Sequence, residues 1–596
     1  MCGICGIVSI GREGPPVDSE ELLRVRDRMA VRGPDGAGLW ISPDRKAALG
    51  HRRLSIIDLS PQASQPMSFG NGRYTIVFNG EIYNYRELRQ RLAAQGQKFI
   101  SSSDTEVLLA LYAQMGAGML DSLRGMFALA IWDEQKKELF LARDHFGIKP
   151  LYYSRQGKYF RFASQVKALM AGGALPSDPD PAGRAGFFLL GYVPEPHTTF
   201  KSIQALPAGT AKWIDRSGRE RDTKYFDLTN ELTEAETSIK GIFQPALLIE
   251  ELHSAFRDSV NYHLVSDVPV GVFLSSGVDS TTITALAAEQ KAQLKTMTLG
   301  FAEFKGKQND EVPLAEKTAA ALKTDHTSKW ISQKDFIGQQ EKLLEAMDQP
   351  SIDGVNTYFV SRAASEIGLK VALSGLGGDE LCGSYPSFRH MPKMTAWLKG
   401  WKKHRKLAES IRRLSAPWIG ALASPKYAGL FEYGGSYGGA YLLRRGLFMP
   451  WELPGLMGED EAREGWEELA VLERLEETVR PIKSPRLKVT ALEISWYMRN
   501  QLLRDSDWAG MAHSLEIRVP WVDVELFRAL LPFLVRGELT KTNLSGSTGN
   551  AMTAEIMNRK RTGFAVPVRD WLLQNNYGYR KPRGLREWAK YLYKHS

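Results

Sequence analysis

Cys2 stands directly behind the start methionine in MCGICGIV, and Cys5 follows three residues later. Such a pair permits a metal clasp, a redox couple or a nucleophile at the end of the chain. A structural zinc site usually needs four ligands; Cys382 is the only other cysteine, and no His pair sits at finger spacing. A thioredoxin-like CxxC lies after a strand at a helix start, whereas this one lies inside CGICGIVSI, which reads as a buried opening strand. With Met1 removed, the α-amine of Cys2, ordinarily of pKa about 7.7–8.0, is close enough to a thiol near 8.5 to take its proton. Base and nucleophile are then matched near neutral pH. Cys5 has no such amine and reads as a small core residue. Position alone leaves open that Cys2 is inert.

Its neighbours add chemistry. RGPDGAG (32–38) is a glycine-rich turn, and HRRLSIIDLS (51–60) supplies Arg53. FNGEIYNYREL (78–88) puts Asn79 and Gly80 at the end of the apolar run TIVF, and SSDTEVLL (102–109) offers Asp104 at a helix start. An amide hydrolase needs donors for a developing oxyanion, and the Asn79 side chain with the Gly80 N–H suits that task. An amino-acid substrate needs a fork for its carboxylate and an acid for its ammonium; Arg53 and Asp104 carry those charges. Without a substrate, the same residues read as a hairpin turn, a surface cation and a helix cap.

Two later stretches have a different character. In SDVPVGVFLSSGVDSTTITALAAEQ (266–290) the run VGVFL predicts a buried parallel strand, SSGVDS a loop and the remainder a helix. A helix N-terminus behind such a loop binds anions through free N–H groups. No Lys follows, so this is not a P-loop. Asp279 would repel a phosphate unless a cation intervened, and Mg²⁺ favours carboxylate with phosphate oxygens. GLKVALSGLGGDELCGSYPSF (368–388) repeats the plan with Asp379 and Glu380. Two acidic loops at strand ends suit a triphosphate and its metal. Lys560 and Arg561, in MNRKRTGFAVPVRDWL (557–572), could neutralise phosphate oxygens.

CGI at the terminus, RGPD, HRRLSI, NGEIYN, SDTEVLL, LRGMFA and RDHFGIKPLYY together resemble the glutaminase half of class II glutamine amidotransferases. The resemblance covers residues 2 to about 205 and implies an Ntn-type αββα fold. It makes Cys2 the nucleophile, Asn79 with Gly80 the oxyanion hole, and Arg53, Glu81 and Asp104 the holders of glutamine, helped by backbone at Ile56 and Ile57. SSGVDS and MAHSLEIRVP (511–520) resemble the synthetase half of the glutamine-hydrolysing asparagine synthetase family. That half is an ATP pyrophosphatase of the adenine-nucleotide α-hydrolase fold. In the family, ATP adenylates an acceptor carboxylate, and ammonia arriving through an interdomain tunnel displaces AMP. Ser275, Ser276, Gly277, Asp279 and Ser280 fall in its SGGxDS signature; Leu274, Leu299, Ser374 and Gly375 match nucleotide-contacting positions. Asp279 and Asp379 match the carboxylates of the metal and pyrophosphate. Three departures stand out. Ser276 replaces a glycine. Leu376 stands where SGEGxDE has an acid. Arg561, with Lys560 adjacent, stands at the lysine of RPKxGF; Arg keeps the charge but donates no proton at neutral pH. Asp348 and Asp353, in MDQPSIDGVNTYF (347–359), are candidates for the missing acid's role.

These residues need elements to hold them. The 596 residues suffice for several domains, with 43% hydrophobic and 24% charged residues. The expected architecture is an α/β glutaminase sandwich over 2–228, a polar linker over 229–245 and a parallel-sheet α/β ATP-binding domain over 246–596. Residues 207–228 read as a hairpin with a glycine turn. No apolar run approaches the ~18 residues of a membrane span, no secretory signal is recognisable, and three cysteines cannot build a disulfide framework; a cytoplasmic location is expected. The net charge is +9, dispersed except for LKGWKKHRKLAESIRRL (398–414). This reads as a solvated helix face, with a partner or an anionic surface as the alternative; no nucleic-acid motif accompanies it. Expected partners are glutamine, a small carboxylate with aspartate favoured or a sugar acid instead, ATP and Mg²⁺; a homodimer is what the family suggests, and neither nucleic acid nor membrane is expected. A non-catalytic descendant of the family is the remaining reading.

Overall fold

A computed structural model of the chain describes residues 2–11, 13–239, 245–422, 424–541, 543, 553–559, 567, 571 and 585–595. The opening strand Gly3–Ser9 is buried along its whole length. It pairs antiparallel with Ala47–Arg53 on one side and Tyr159–Ala163 on the other, at the centre of a six-stranded sheet. A second six-stranded sheet is built around Tyr74–Ile82, Gly125–Asp133 and Glu138–Arg143. Strand side chains alternate between faces. Accordingly Ile4 and Val8 pack with Val77, Ala130 and Leu141 of the second sheet, while Cys5 and Ile7 pack with Leu22, Val25 and Leu169 of flanking helices. The outer face of the second sheet, through Ile76 and Phe78, meets Leu88, Leu108 and Leu111. Two sheets face to face with helices outside are the expected αββα sandwich. Cys5 belongs to the helix-side core, and all three cysteines are free thiols, so the CxxC is no disulfide.

The hairpin expected over 207–228 is present as Thr210–Asp215 paired with Glu220–Lys224. The polar stretch after it is not extended. Asp227 caps a helix, Leu228–Ser238, by accepting from Thr229 and Asn230 N–H, and this helix buries Leu228, Leu232 and Ala235.

The second half holds a five-stranded all-parallel sheet. Its spatial order is Asp325–Ile331, Lys295–Phe301, Val270–Phe273, Val371–Leu373, Glu516–Arg518. The chain starts in the middle, runs outward to one edge, then returns to Val371–Leu373 on the other side of its starting strand. That reversal is a topological switch point, and ligands in open α/β sheets bind at the strand ends beside it. The loops leaving there are 274–277 and 374–377. Among the described residues no helix is long and apolar enough to cross a membrane.

Two candidate active sites and the helix between them

Cys2 is 8% exposed, and its thiol lies 4.0 Å from the Leu54 carbonyl. Burial pushes the thiol pKa up; the positive chain terminus opposes this, and Glu81 and Glu516 add to it. Met1 is outside the described residues. The Cys2 N–H donates to Asn79 Oδ1 at 3.0 Å. Asn79 is wholly buried, and its Nδ2 has no hydrogen-bond partner among the described residues. A buried amide donor without an acceptor is costly unless something uses it. The next residue must be glycine: a Cβ on Gly80 would stand 2.1 Å from the Met126 carbonyl.

Asp104 opens the helix Asp104–Met115, as its position in the sequence predicts, but the cap itself is Ser103, which accepts from Glu106 N–H. Asp104 is thus spared; its carboxylate accepts from Ile82 N–H at 3.1 Å, and burial raises its pKa to about 6. Glu81 is buried beside it, pushed above the usual carboxylate range by burial and Glu516 and opposed by Arg518. The Arg53 guanidinium donates to the Ser60 carbonyl at 2.9 Å and to that of Asp58. Ile56 and Ile57 are buried in the same loop. The Ile56 carbonyl accepts from Asp267 N–H at 3.0 Å, so the second half of the chain helps shape this loop.

At the switch point a cavity of about 260 Å³ is lined by Leu274, Ser275, Gly277, Asp279, Ser280 and Leu299 from one side and Ser374, Gly375 and Leu376 from the other. The first loop closes on itself: Ser280 Oγ lies 2.8 Å from Ser275 Oγ and accepts from Ser275 N–H at 3.1 Å. Gly277 precedes the helix Val278–Gln290, whose positive end therefore faces the loop. The glycines of the second loop permit contact with the first. A Cβ on Gly375 would lie 3.0 Å from Ser280 N, and one on Gly378 2.7 Å from the Asp279 carboxylate carbon. Ser276 turns away from the cavity, its hydroxyl donating to the Glu311 carbonyl at 3.2 Å and accepting from Arg559.

The acids sort themselves by geometry. Asp353 lines the cavity together with Asp505. Burial and then the Asp353 charge raise Asp505 to about 8, so Asp505 holds a proton near neutral pH, and burial raises Asp353 as well. Asp348 does not line the cavity. Its carboxylate accepts from Val166 and Lys167 N–H at 2.9 and 3.0 Å, at the start of the helix Val166–Ala171 in the first half. Glu380 turns to the Tyr385 hydroxyl at 2.8 Å, and burial followed by the Asp379 charge raises it to about 7. Lys560 and Arg561 lie outside the described residues; beside them, Arg559 reaches Ser276. Asp279 and Asp379 converge on one point, where Lys541 Nζ stands 2.5 and 2.7 Å from them. Burial opposes the Lys541 charge, but the two carboxylates prevail and hold its pKa up. The Lys541 ammonium fills the point between the two carboxylates. As hard oxygen donors these same carboxylates also suit Mg²⁺, which takes one or two carboxylates and completes its shell with phosphate and water; binding it there would require Lys541 to yield the position. Among the described residues no group of three or more ligands could hold a metal without substrate.

One short helix, Arg504–Met511, touches both sites. Asp507 binds the fully buried Arg32 through two bonds of 2.7 and 3.1 Å, and Arg32 Nε donates to the Cys2 carbonyl at 3.2 Å. Two residues earlier, Asp505 faces the second cavity. A parallel connection runs through Arg518. Its guanidinium lies 3.7 Å from Glu81 and 2.6 Å from Glu516, and its carbonyl accepts from Ser374 N–H at 2.8 Å. Sequence reasoning missed Arg32, Asp505, Asp507, Arg518 and Lys541; the charge of RDSDW was visible there, but not what it faces.

Paired sheets carrying a buried cysteine and an idle amide donor define the first half as an Ntn-type glutamine amidotransferase. Residues 1–226 match the family described as a glutamine amidotransferase domain, and residues 251–591 match asparagine synthase. The chain belongs to the glutamine-hydrolysing asparagine synthetase family. Asparagine synthetase [glutamine-hydrolyzing] 1 of Bacillus subtilis is 34% identical over 96% of this chain and 88% of its own. The synthetase numbered 3 from the same organism is 32% identical over 88% of this chain and 80% of its own. Among solved structures, the glutamine phosphoribosylpyrophosphate amidotransferase of B. subtilis covers 63% of this chain and 82% of its own at 17% identity, with a TM-score of 0.30.

Proposed function

We propose that the chain releases ammonia from glutamine at Cys2 and uses ATP to transfer it to a carboxylate, with aspartate the favoured acceptor and asparagine, AMP and pyrophosphate the products. The observation that carries the first step is the idle Nδ2 of Asn79 beside Cys2. Once Met1 is removed, the Cys2 amine takes the thiol proton and the sulfur attacks the glutamine side-chain carbonyl. The oxyanion accepts hydrogen bonds from Asn79 Nδ2 and Gly80 N–H, and the protonated α-amine gives its proton to the leaving nitrogen, which departs as ammonia and frees the amine again. Water then hydrolyses the thioester to glutamate. Arg53 takes the substrate carboxylate and Glu81 and Asp104 its ammonium.

In the second cavity the acceptor carboxylate attacks the α-phosphorus of ATP and pyrophosphate leaves. Ammonia then attacks the acyl carbon and AMP leaves. The Ser275–Ser280 loop and the helix end behind it hold phosphate, and Lys541 neutralises the departing charge. Mg²⁺, held by Asp279 and Asp379 with the nucleotide, would supply further charge neutralisation. Ammonia loses a proton as it attacks, and the Asp353 carboxylate, lining the cavity beside Asp505, is placed to receive it, where Leu376 has no such capacity.

A second reading keeps the chemistry and changes the acceptor. Leu376 gives the cavity an apolar wall at the family's acidic position, which favours another small carboxylate such as a sugar acid. One assay separates the two: glutamine, ATP and Mg²⁺ with a panel of carboxylates, reading glutamate, AMP and pyrophosphate. Pyrophosphate with aspartate supports the first reading, and pyrophosphate only with another acid supports the second. Glutamate without pyrophosphate for any acid would contradict both.

A further inference from the structure

The chain's positive charge is concentrated where neither site uses it. Residues 387–422 contain nine Lys and Arg against the single acid Glu409, an excess of eight in a chain whose whole excess is nine. They form the helices Ser387–Leu398 and Arg405–Leu422 with a short turn between. The second helix is anchored by one side. Ala408 is buried, and Arg412 binds Glu432 at 2.7 Å and lies over the Trp451 ring. Its other side is apolar and bare: Leu407, Leu414 and Trp418 are 55%, 78% and 76% exposed. Their spacings of seven and four place them in one stripe along the helix. Trp397, at the end of the preceding helix, is 89% exposed, although neighbouring Trp401 packs on Phe431. Lys399, Lys402, Lys403 and Lys406 are exposed around these groups, and among the described residues none has an acidic partner.

We propose that this face docks the enzyme peripherally on an anionic lipid surface, Trp397 and Trp418 entering the interface and the lysines binding headgroups. Tryptophan prefers the lipid–water boundary, and an exposed apolar stripe beside clustered cations is the pattern of an interfacial helix attracted to acidic lipids. Separate protruding tryptophans suit a deformable bilayer, whereas a protein groove would need a matched pocket for each, and protein interfaces are depleted in lysine. A second copy of this chain would bring two strongly positive faces together. Such docking would revise the expectation of no membrane partner.

The test uses the full-length enzyme with phosphatidylcholine vesicles, alone or containing about 30 mol % phosphatidylglycerol, so that lipid charge is the only variable. Co-sedimentation is expected only with the anionic vesicles. It should weaken about tenfold or more at 0.5 M salt, because screening removes the long-range attraction. The W397S/W418S and K402E/K403E variants should each lose binding by a similar factor while releasing glutamate from glutamine at the wild-type rate, which reports an intact fold. Wild-type enzyme that ignores anionic vesicles would overturn the proposal and leave an acidic protein as the occupant. W397S/W418S binding as tightly as wild type would overturn it too. So would light scattering that finds a wild-type dimer dissolved by W397S/W418S, which would put a second copy on this face.

Discussion

Asn79 uses one half of its amide to position Cys2 and leaves the other half, wholly buried, without a partner among the described residues. A donor fixed in advance stabilises an oxyanion without reorganisation, and losing one costs about 2.7–4 kcal/mol, or 10²–10³ in rate. Asn79→Ala should therefore lower kcat for glutamate release by about that factor with little change in KM. Asp104 carries a second prediction. Its pKa of about 6 lies above the ordinary carboxylate value, so it is ionised above that pH and protonated below. A substrate ammonium needs the ionised form. Initial rates at low glutamine should thus fall as pH drops through about 6, and Asp104→Asn, measured across the same range, should remove that inflection. Much of this placement was legible as short strings, because Cys2, Asn79–Gly80 and Asp104 are fixed by local strand and helix ends. The choice between Asp348 and Asp353 was not. Both lie in one string, and only the docking of Asp348 on the N–H groups of residues 166 and 167 of the first half decides which of them faces the cavity.

The strand–loop–helix of 270–290 and the loop of 374–378 work as one clamp. Gly378 is needed because its backbone lies against the Asp279 carboxylate. Gly378→Ala forces that carboxylate to move, and displacing a positioning group by about 1 Å can cost 10²-fold. ATP-dependent pyrophosphate release should fall by about that much, while glutamate release stays near wild type. Strands, loops and acids here were readable from apolar runs ending in glycine and aspartate. Lys541 was not, because it reaches Asp279 from a position 262 residues away and nothing local marks it. The helix Leu228–Ser238 was hidden by its composition: its outward residues are polar, and its few apolar ones face distant helices, Pro485–Leu492 and Val524–Arg536 of the second half.

The two halves are joined by buried charge. Arg32 is fully buried against Asp507, and removing one partner of such a pair strands the other, at a cost of about 3–5 kcal/mol. Arg32→Met should lower the chain's unfolding midpoint clearly in thermal denaturation, and the double variant with Asp507→Leu should recover much of the loss. A wild-type midpoint in the single variant would mean that the pair does not hold the interface. These contacts could not be read from the sequence, since they link residues hundreds of positions apart and depend on how the halves dock. They give the molecule its connectivity: a helix that carries Asp507 toward Cys2 and Asp505 toward the second cavity.

The most direct measurement is pyrophosphate release by the Cys2→Ala variant, with the acceptor identified in the carboxylate panel and with either glutamine or ammonium chloride as nitrogen source. Release over many turnovers should persist with ammonium and vanish with glutamine, because only the first site loses its nucleophile and the acyl-adenylate then waits for ammonia. Undiminished glutamine-dependent release from Cys2→Ala would contradict the account.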